Sequence, residues 1–277
     1  MRVLVTGGTG FLGRAVVRAL VAAGHHAVVF ARHASSAGLP GEAFDGDVRD
    51  AGALLAAAEG CEAVLHGAAL VATWRPDRRA FDEVNVGGLR AVIGAARQRG
   101  LRRIVYTSSF MALAPGGLDA PPSWNDYQRT KAAGDALAGS EAGRGAPIVR
   151  LYPGVIYGPG PATEGNLVGG MIADHLHGRL PGVVGAGRTW SFSYIDDVAE
   201  AHVAALEAGR PGARYHLGGE NAPLMHAFDV VRALTGRRLP RRIPDWLASP
   251  AALAYELRAA WIGRPPLITT GTLEVLL

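Results

Sequence analysis

Directly behind the β-type run Arg2-Val3-Leu4-Val5-Thr6, the chain reads Gly7-Gly8-Thr9-Gly10-Phe11-Leu12-Gly13. Apolar residues at three- and four-residue spacing follow at once, as in a helix. A strand, a glycine turn and a helix in that order are compatible with few folds. Gly7 permits a tight turn, Gly10 lets the backbone approach a pyrophosphate, and Gly13 lets helix and strand pack closely. The helix start then offers free N–H groups to phosphate charge. The segment reads as the dinucleotide-binding loop of a βαβ unit, with Gly7, Thr9, Gly10, Phe11, Leu12 and Gly13 as cofactor-binding positions.

The alternation continues along the chain. Residues 27–31, 63–66, 103–108 and 148–151 read as strands, and 12–23, 51–59, 82–99 and 126–142 as helices. Strands that alternate with crossover helices specify an α/β fold with a Rossmann-type doubly wound parallel sheet. Beyond Pro153 the pattern loosens, and Gly and Pro cluster at Gly158-Pro159-Gly160-Pro161. Residues 1–152 are assigned to a dinucleotide-binding domain. Residues 153–277 form mainly a smaller, interleaved C-terminal substrate lobe, with 192–217 returning to the Rossmann part. Within that half 197–208 reads as a helix and 215–217 as a short strand. Residues 246–261 read as an amphipathic helix better explained by core packing than by membrane contact.

The end of the second strand selects the dinucleotide. A site preferring NAD places an acid roughly 20 residues beyond the glycines, on the ribose 2′-hydroxyl. This chain has Val28-Val29-Phe30-Ala31-Arg32-His33-Ala34-Ser35-Ser36, with no acid. Arg32 stands where a 2′-phosphate would lie, and Ser35 or Ser36 can add hydrogen bonds. NADP(H) is therefore expected over NAD(H). Asp47-Val48 follows the third strand, where an acid can accept from the adenine amino group. Asp45 and Asp50 are close enough in sequence to compete for that part.

Tyr127 and Lys131 are four residues apart, which puts them on one face of a helix. Lys131 is the only lysine among 28 lysines and arginines. Where arginine serves every other positive position, a lone lysine points to a site that needs a compact ammonium. An ammonium beside a phenol favours the phenolate, so the Tyr127 pKa is expected to fall towards neutrality. Tyr127 then suits general acid–base work, and Lys131 can also bond the nicotinamide ribose. Upstream, Thr107-Ser108-Ser109 ends a strand, and strand C-termini line the ligand crevice of such sheets. A serine there can hold a substrate carbonyl oxygen, and one of the two can serve only as a strand-end cap.

Taken together these marks resemble the extended short-chain dehydrogenases/reductases, the group with NAD-dependent epimerase/dehydratases and dihydroflavonol-reductase-like enzymes. The resemblance runs from Met1 to about Leu224. It includes His66-Gly67-Ala68-Ala69, Asn85-Val86 with Gly88, Pro153-Gly154-Val155-Ile156-Tyr157-Gly158-Pro159 and Tyr194-Ile195-Asp196-Asp197-Val198-Ala199. It implies Ser109 as the catalytic serine beside Tyr127 and Lys131. It also implies Ala68, Pro153 and Val155 at the cofactor, and a homodimer formed through a helical face.

Three departures from the family pattern bear on the substrate. Val155 stands where sugar-nucleotide enzymes often carry asparagine, and Trp190-Ser191-Phe192-Ser193 where they often carry arginine. The pocket is thus expected to be apolar, with Trp74, Phe110, Trp190 and Phe192 available as walls or as plain core. Phe110-Met111-Ala112-Leu113 supplies no dehydratase-type acid. Proteins of this kind also continue past the point corresponding to Leu277, so a closing C-terminal segment is expected to be missing.

Composition removes other classes. A single cysteine, Cys61, builds neither a disulfide framework nor a thiolate metal site, and no metal is expected. The first apolar stretch is too short for a secretory signal. No apolar run approaches the roughly 18 residues of a membrane span. A cytoplasmic chain without a membrane partner is expected. The net charge is +4, and the cluster Arg237-Arg238-Leu239-Pro240-Arg241-Arg242 lacks interleaved aromatics, so nucleic acid is not expected as a partner. The resulting expectation is an NADP(H)-dependent oxidoreductase acting on a ketone or aldehyde carbon of a small, rather apolar molecule. The alternatives are a sugar-nucleotide epimerase or dehydratase, and a non-catalytic NADP(H)-binding sensor.

Overall fold

The computed structural model describes residues 1–72, 74–113, 125–161, 163, 165–262, 270 and 273. Its centre is a sheet of seven parallel strands in the order β3-β2-β1-β4-β5-β6-β9. In chain order β1 is Arg2–Thr6, β2 His26–Ala31, β3 Glu42–Asp45, β4 Ala63–His66, β5 Arg103–Thr107, β6 Ile148–Pro153 and β9 Arg214–Leu217. The central strands are buried almost end to end because helices cover both faces, which is why they read as continuous apolar runs. The expected Rossmann-type sheet is present, and its strand order reverses between β1 and β4, where such folds open a ligand crevice.

Two apolar layers flank the sheet. Helices α1 (Phe11–Ala22) and α7 (Ile195–Ala208) cover one face, packing Val16, Val17, Leu20, Ala199, Val203 and Leu206 on β1 and β5. Helices α2 (Ala51–Ala57), α4 (Gly88–Arg99) and α5 (Asp126–Gly143) cover the other. Local signals fix the helix ends. Asp50 accepts from the N–H groups of Gly52 and Ala53 at the start of α2, and Gly100 closes α4 at φ +67°. Asn125 and Gln128 form a reciprocal capping box at the start of α5. The expected helix over 82–99 is not uniform: a short α3 (Arg79–Phe81) leads into a π-helical stretch, Asp82–Gly87, before α4. Such wide turns recur where a side chain must be turned towards a site.

The second half holds features that local pattern did not show. Strands β7 (Val155–Tyr157), β8 (Thr189–Tyr194) and β10 (Glu220–Pro223) form a separate sheet in the order β10-β8-β7. Helices α6 (Leu167–Leu176), α8 (Leu224–Thr235) and α9 (Asp245–Ile262) accompany it. Trp190 and Phe192 lie in its core with Val183, Leu224, Met225 and Phe228. The helix expected near the C-terminus forms, but it is anchored by Ala248 and Ala252, while Trp246 is 73% exposed. Among the described residues of α9 the buried ones are small, so at Trp246 the expectation of core packing is corrected.

Candidate active site

The glycine loop is shaped as its spacing requires. Gly7 has φ +73°, and a Cβ there would lie 2.6 Å from the Ala68 nitrogen. A Cβ on Gly13 would lie 2.1 Å from the Gly7 carbonyl oxygen. Gly10 caps α1 without any side chain, leaving the helix start open. Arg14 braces the loop by donating to the Thr9 carbonyl at 3.0 Å. Phe11 is buried, Leu12 half-buried. A cradle that a methyl group would fill, over an uncapped helix start, fits a dinucleotide pyrophosphate.

Around that cradle the other expected cofactor residues fall into place unequally. Ala68 follows β4 directly against Gly7, and its N–H reaches Thr6 Oγ1 at 3.4 Å. Val48 is buried and packs on Gly88, where a Cβ would come within 2.9 Å of it. Asp47 receives Arg49 through Nε at 2.9 Å and Nη2 at 2.8 Å, which together hold its pKa down at about 2. The structure separates the three acids of this stretch: Asp50 caps α2, and Asp45 is taken by Ser35. Ser35 gives both its N–H and its hydroxyl to Asp45, and Ser36 reaches back to the His33 carbonyl at 3.4 Å. The Ser35 hydroxyl is thus engaged by Asp45, while Arg32 is exposed at the end of β2. Pro153 is buried at the end of β6, and Val155 is half-buried on β7.

Tyr127, Lys131, Ser108 and Ser109 converge at the end of β5, and the structure tells the serines apart. Ser108 donates to Asp135 at 3.1 Å. Ser109 lies beside the Tyr127 phenol, where it lowers the phenol pKa, and caps the short turn Phe110–Ala112 by accepting from Met111 N. Lys131, 4% exposed, donates through Nζ to the Thr107 carbonyl at 3.0 Å and lies 5.9 Å from the centre of the Tyr127 ring. Asn85, in the π-helical stretch, accepts from Leu70 N at 2.7 Å and donates to Thr130 Oγ1 at 2.9 Å. It thereby ties the loop after β4 to α5, between Tyr127 and Lys131.

The charge state differs from expectation. Burial pushes the Tyr127 phenol up to about 12, and only Ser109 pulls it back. Burial also pulls Lys131 down to about 8, with Asp135 opposing. The phenol is not brought towards neutrality because the protein around it disfavours the phenolate and the ammonium is committed to the Thr107 carbonyl. Of the expected pocket walls, Trp190 and Phe192 belong to the second core, Phe110 is 42% exposed, and Trp74 is half-buried. Among the described residues no cluster of His, Cys, Asp and Glu is arranged to hold a metal ion. Among them too, no helix is long and apolar enough to cross a membrane.

Sequence reasoning passed over His202, on α7. It is buried, and its Nε2 lies 2.9 Å from Thr107 Oγ1. A histidine on an otherwise apolar helix face was the only local signal.

The chain resembles known proteins over most of its length. The sequence profile of the NAD dependent epimerase/dehydratase family matches residues 3–218. Sterol demethylase protein B of Methylococcus capsulatus is 36% identical over 268 residues, spanning 91% of this chain and 80% of that protein. The 2-alkyl-3-oxoalkanoate reductase of Stenotrophomonas maltophilia is 34% identical over 255 residues, spanning 85% of this chain and 76% of that protein. The crystal structure of gox2253 superposes with a TM-score of 0.79 at 32% identity, over 98% of this chain and 86% of that one.

Proposed function

This chain belongs to the NAD-dependent epimerase/dehydratase family, and from that premise we propose that it is an NADP(H)-dependent oxidoreductase. It moves hydride to or from the ketone or aldehyde carbon of a small, rather apolar substrate. The observation that carries this reading is the convergence of Ser109, Tyr127 and Lys131 at the end of β5, with Lys131 one helical turn from Tyr127. The nicotinamide cofactor supplies the hydride in one direction and accepts it in the other. Tyr127 donates a proton to the substrate oxygen as charge develops there, and Ser109 holds the same oxygen. A phenol with pKa about 12 is protonated across the working range, the form a proton donor needs. Lys131, held on the Thr107 carbonyl, would bind the nicotinamide ribose.

The binding residues follow the same reading. Gly7, Gly10, Gly13 and the start of α1 would hold the pyrophosphate, with Thr9, Phe11 and Leu12 beside it. Asp47 and Val48 would face the adenine, and Ala68, Pro153 and Val155 would flank the cofactor. The preference for NADP(H) rests on Arg32 and on the absence of an acid at the end of β2. Support for an apolar substrate comes from Val155 and from Trp190, which is packed in the second core where a diphosphate would need a cation. A relative named as a reductase of 2-alkyl-3-oxoalkanoates points the same way.

The test is NADPH consumption with a panel of 3-oxoalkanoates, alkyl ketones and aldehydes, repeated with Tyr127→Phe. Loss of the proton donor is expected to cost at least about 100-fold in kcat. An unchanged rate refutes the assignment. Interconversion of UDP-sugars without net use of NADPH refutes the reductase reading in favour of an epimerase.

A further inference from the structure

The face of the sheet opposite α5 holds a buried histidine that the proposed chemistry leaves unused. His202 is 1% exposed among Ala199, Val203 and Leu206 on α7. Its Nδ1 lies 2.7 Å from the Val198 carbonyl oxygen. A carbonyl only accepts, so Nδ1 carries the ring proton and Nε2 is an acceptor. Nε2 meets Thr107 Oγ1 at 2.9 Å, and the threonine hydroxyl must be the donor. Burial holds the ring pKa down at about 4, so this arrangement persists across the working range.

Thr107 is the last residue of β5, and its own carbonyl accepts from Lys131 Nζ at 3.0 Å. One strand-end residue is thus gripped by α7 through its hydroxyl and by α5 through its carbonyl. A comparable threonine–histidine pair ends β1, where Thr6 Oγ1 lies 2.7 Å from His66 Nδ1. The His202 pair leads on to the lysine through hydrogen bonds, whereas His66 approaches it through the Tyr106 ring, on which it stacks. We propose that His202 is a positioning residue for Lys131, acting through Thr107 from the far side of the sheet. The inference rests on the reading that Lys131 serves the reaction.

Other groups face the ammonium from three elements. Asp135 follows one turn later on α5, held by Tyr152 Oη at 2.7 Å, Ser108 Oγ at 3.1 Å and Arg150 Nη1 at 3.4 Å. The Tyr106 ring of β5 lies 5.6 Å from Nζ, Tyr127 of α5 lies alongside, and the ammonium acts through space on His66 of β4, helping to keep that ring neutral. None of these bonds to His202, so replacing His202 perturbs the Thr107 arm alone. An ammonium that loses a firmly held acceptor is less stabilised in its charged form, and its pKa falls.

The chain offers a direct readout, because Lys131 is its only lysine. Protein made with 13C-labelled lysine gives a single side-chain signal whose shift with pH is the titration of Lys131. The wild type is expected to titrate near 8. His202→Phe and Thr107→Val are each expected to lower that midpoint by roughly half to one pH unit, the equivalent of one net hydrogen bond. The double variant is expected to fall no further than either single. His202→Gln, whose amide oxygen can accept from Thr107, is expected to restore most of the shift. An unmoved signal in folded His202→Phe and Thr107→Val overturns the proposal, as does an equal fall in His202→Phe and His202→Gln. The alkaline limb of NADPH-dependent activity is expected to move with the signal. A moved signal with an unmoved limb keeps the His202–Thr107–Lys131 link and refutes the catalytic part given to Lys131.

Discussion

His66 and His202 make the fold sensitive to mild acid, and the size of the effect follows from their burial. Each ring is 1% exposed, and desolvation holds their pKa values down at about 3 and about 4. In the unfolded chain both titrate near 6.5. Between those values the unfolded chain binds protons that the folded chain refuses, so stability rises with pH through the window. Their contribution is complete above about 6.5 and is lost as the pH falls towards 4 and 3. From pH 7 to pH 5 each ring costs about 2 kcal/mol, and the pair about 4 kcal/mol, at ~1.4 kcal/mol per unit. Against a total of about 5–15 kcal/mol that is a large share. Asp47, with its pKa held at about 2, adds its own loss only below about 4, outside the window. Urea unfolding followed by tryptophan fluorescence at pH 7, 6 and 5 measures the loss. His66→Gln and His202→Gln should each remove about half of it, whatever their stability at pH 7. If both variants lose as much as the wild type between pH 7 and pH 5, the rings are not buried neutral and the reasoning fails.

Three further outcomes follow from single contacts. Gly13→Ala places a methyl group 2.1 Å from the Gly7 oxygen, so the loop must move off α1. A loss of more than about tenfold in NADPH affinity is expected by fluorescence titration, since the helix start no longer meets the pyrophosphate. Arg32→Ala should raise the KM for NADPH about tenfold or more and leave that for NADH within about twofold, because only the 2′-phosphate loses its partner; steady-state kinetics with both coenzymes decides it. Asp50→Ala removes the cap of α2 and should cost about 1 kcal/mol in urea unfolding without changing kcat, since Asp50 is tied up with Gly52 and Ala53.

What the sequence by itself determined is what short-range rules encode. The glycine spacing dictated the turn between β1 and α1, because a positive φ at Gly7 and a missing Cβ at Gly13 are local demands. Apolar periods marked the parallel strands, and a four-residue interval brought Tyr127 and Lys131 together on α5. Only the tertiary structure decided matters that depend on what lies across a gap. It turned Ser108 to Asp135 and Ser109 to Tyr127, although the two serines are neighbours with the same side chain. It gathered β7, β8 and β10 into a second sheet from segments too short to announce themselves. It buried the amine and packed protein around the phenol, which set their pKa values against the simple pairwise expectation. It also carried His202, some 95 residues from Thr107 in the chain, to within 2.9 Å of it. Backbone period and turn chemistry act over a few residues and are written in order. Side-chain orientation and desolvation arise from packing among distant segments, and no local window contains them.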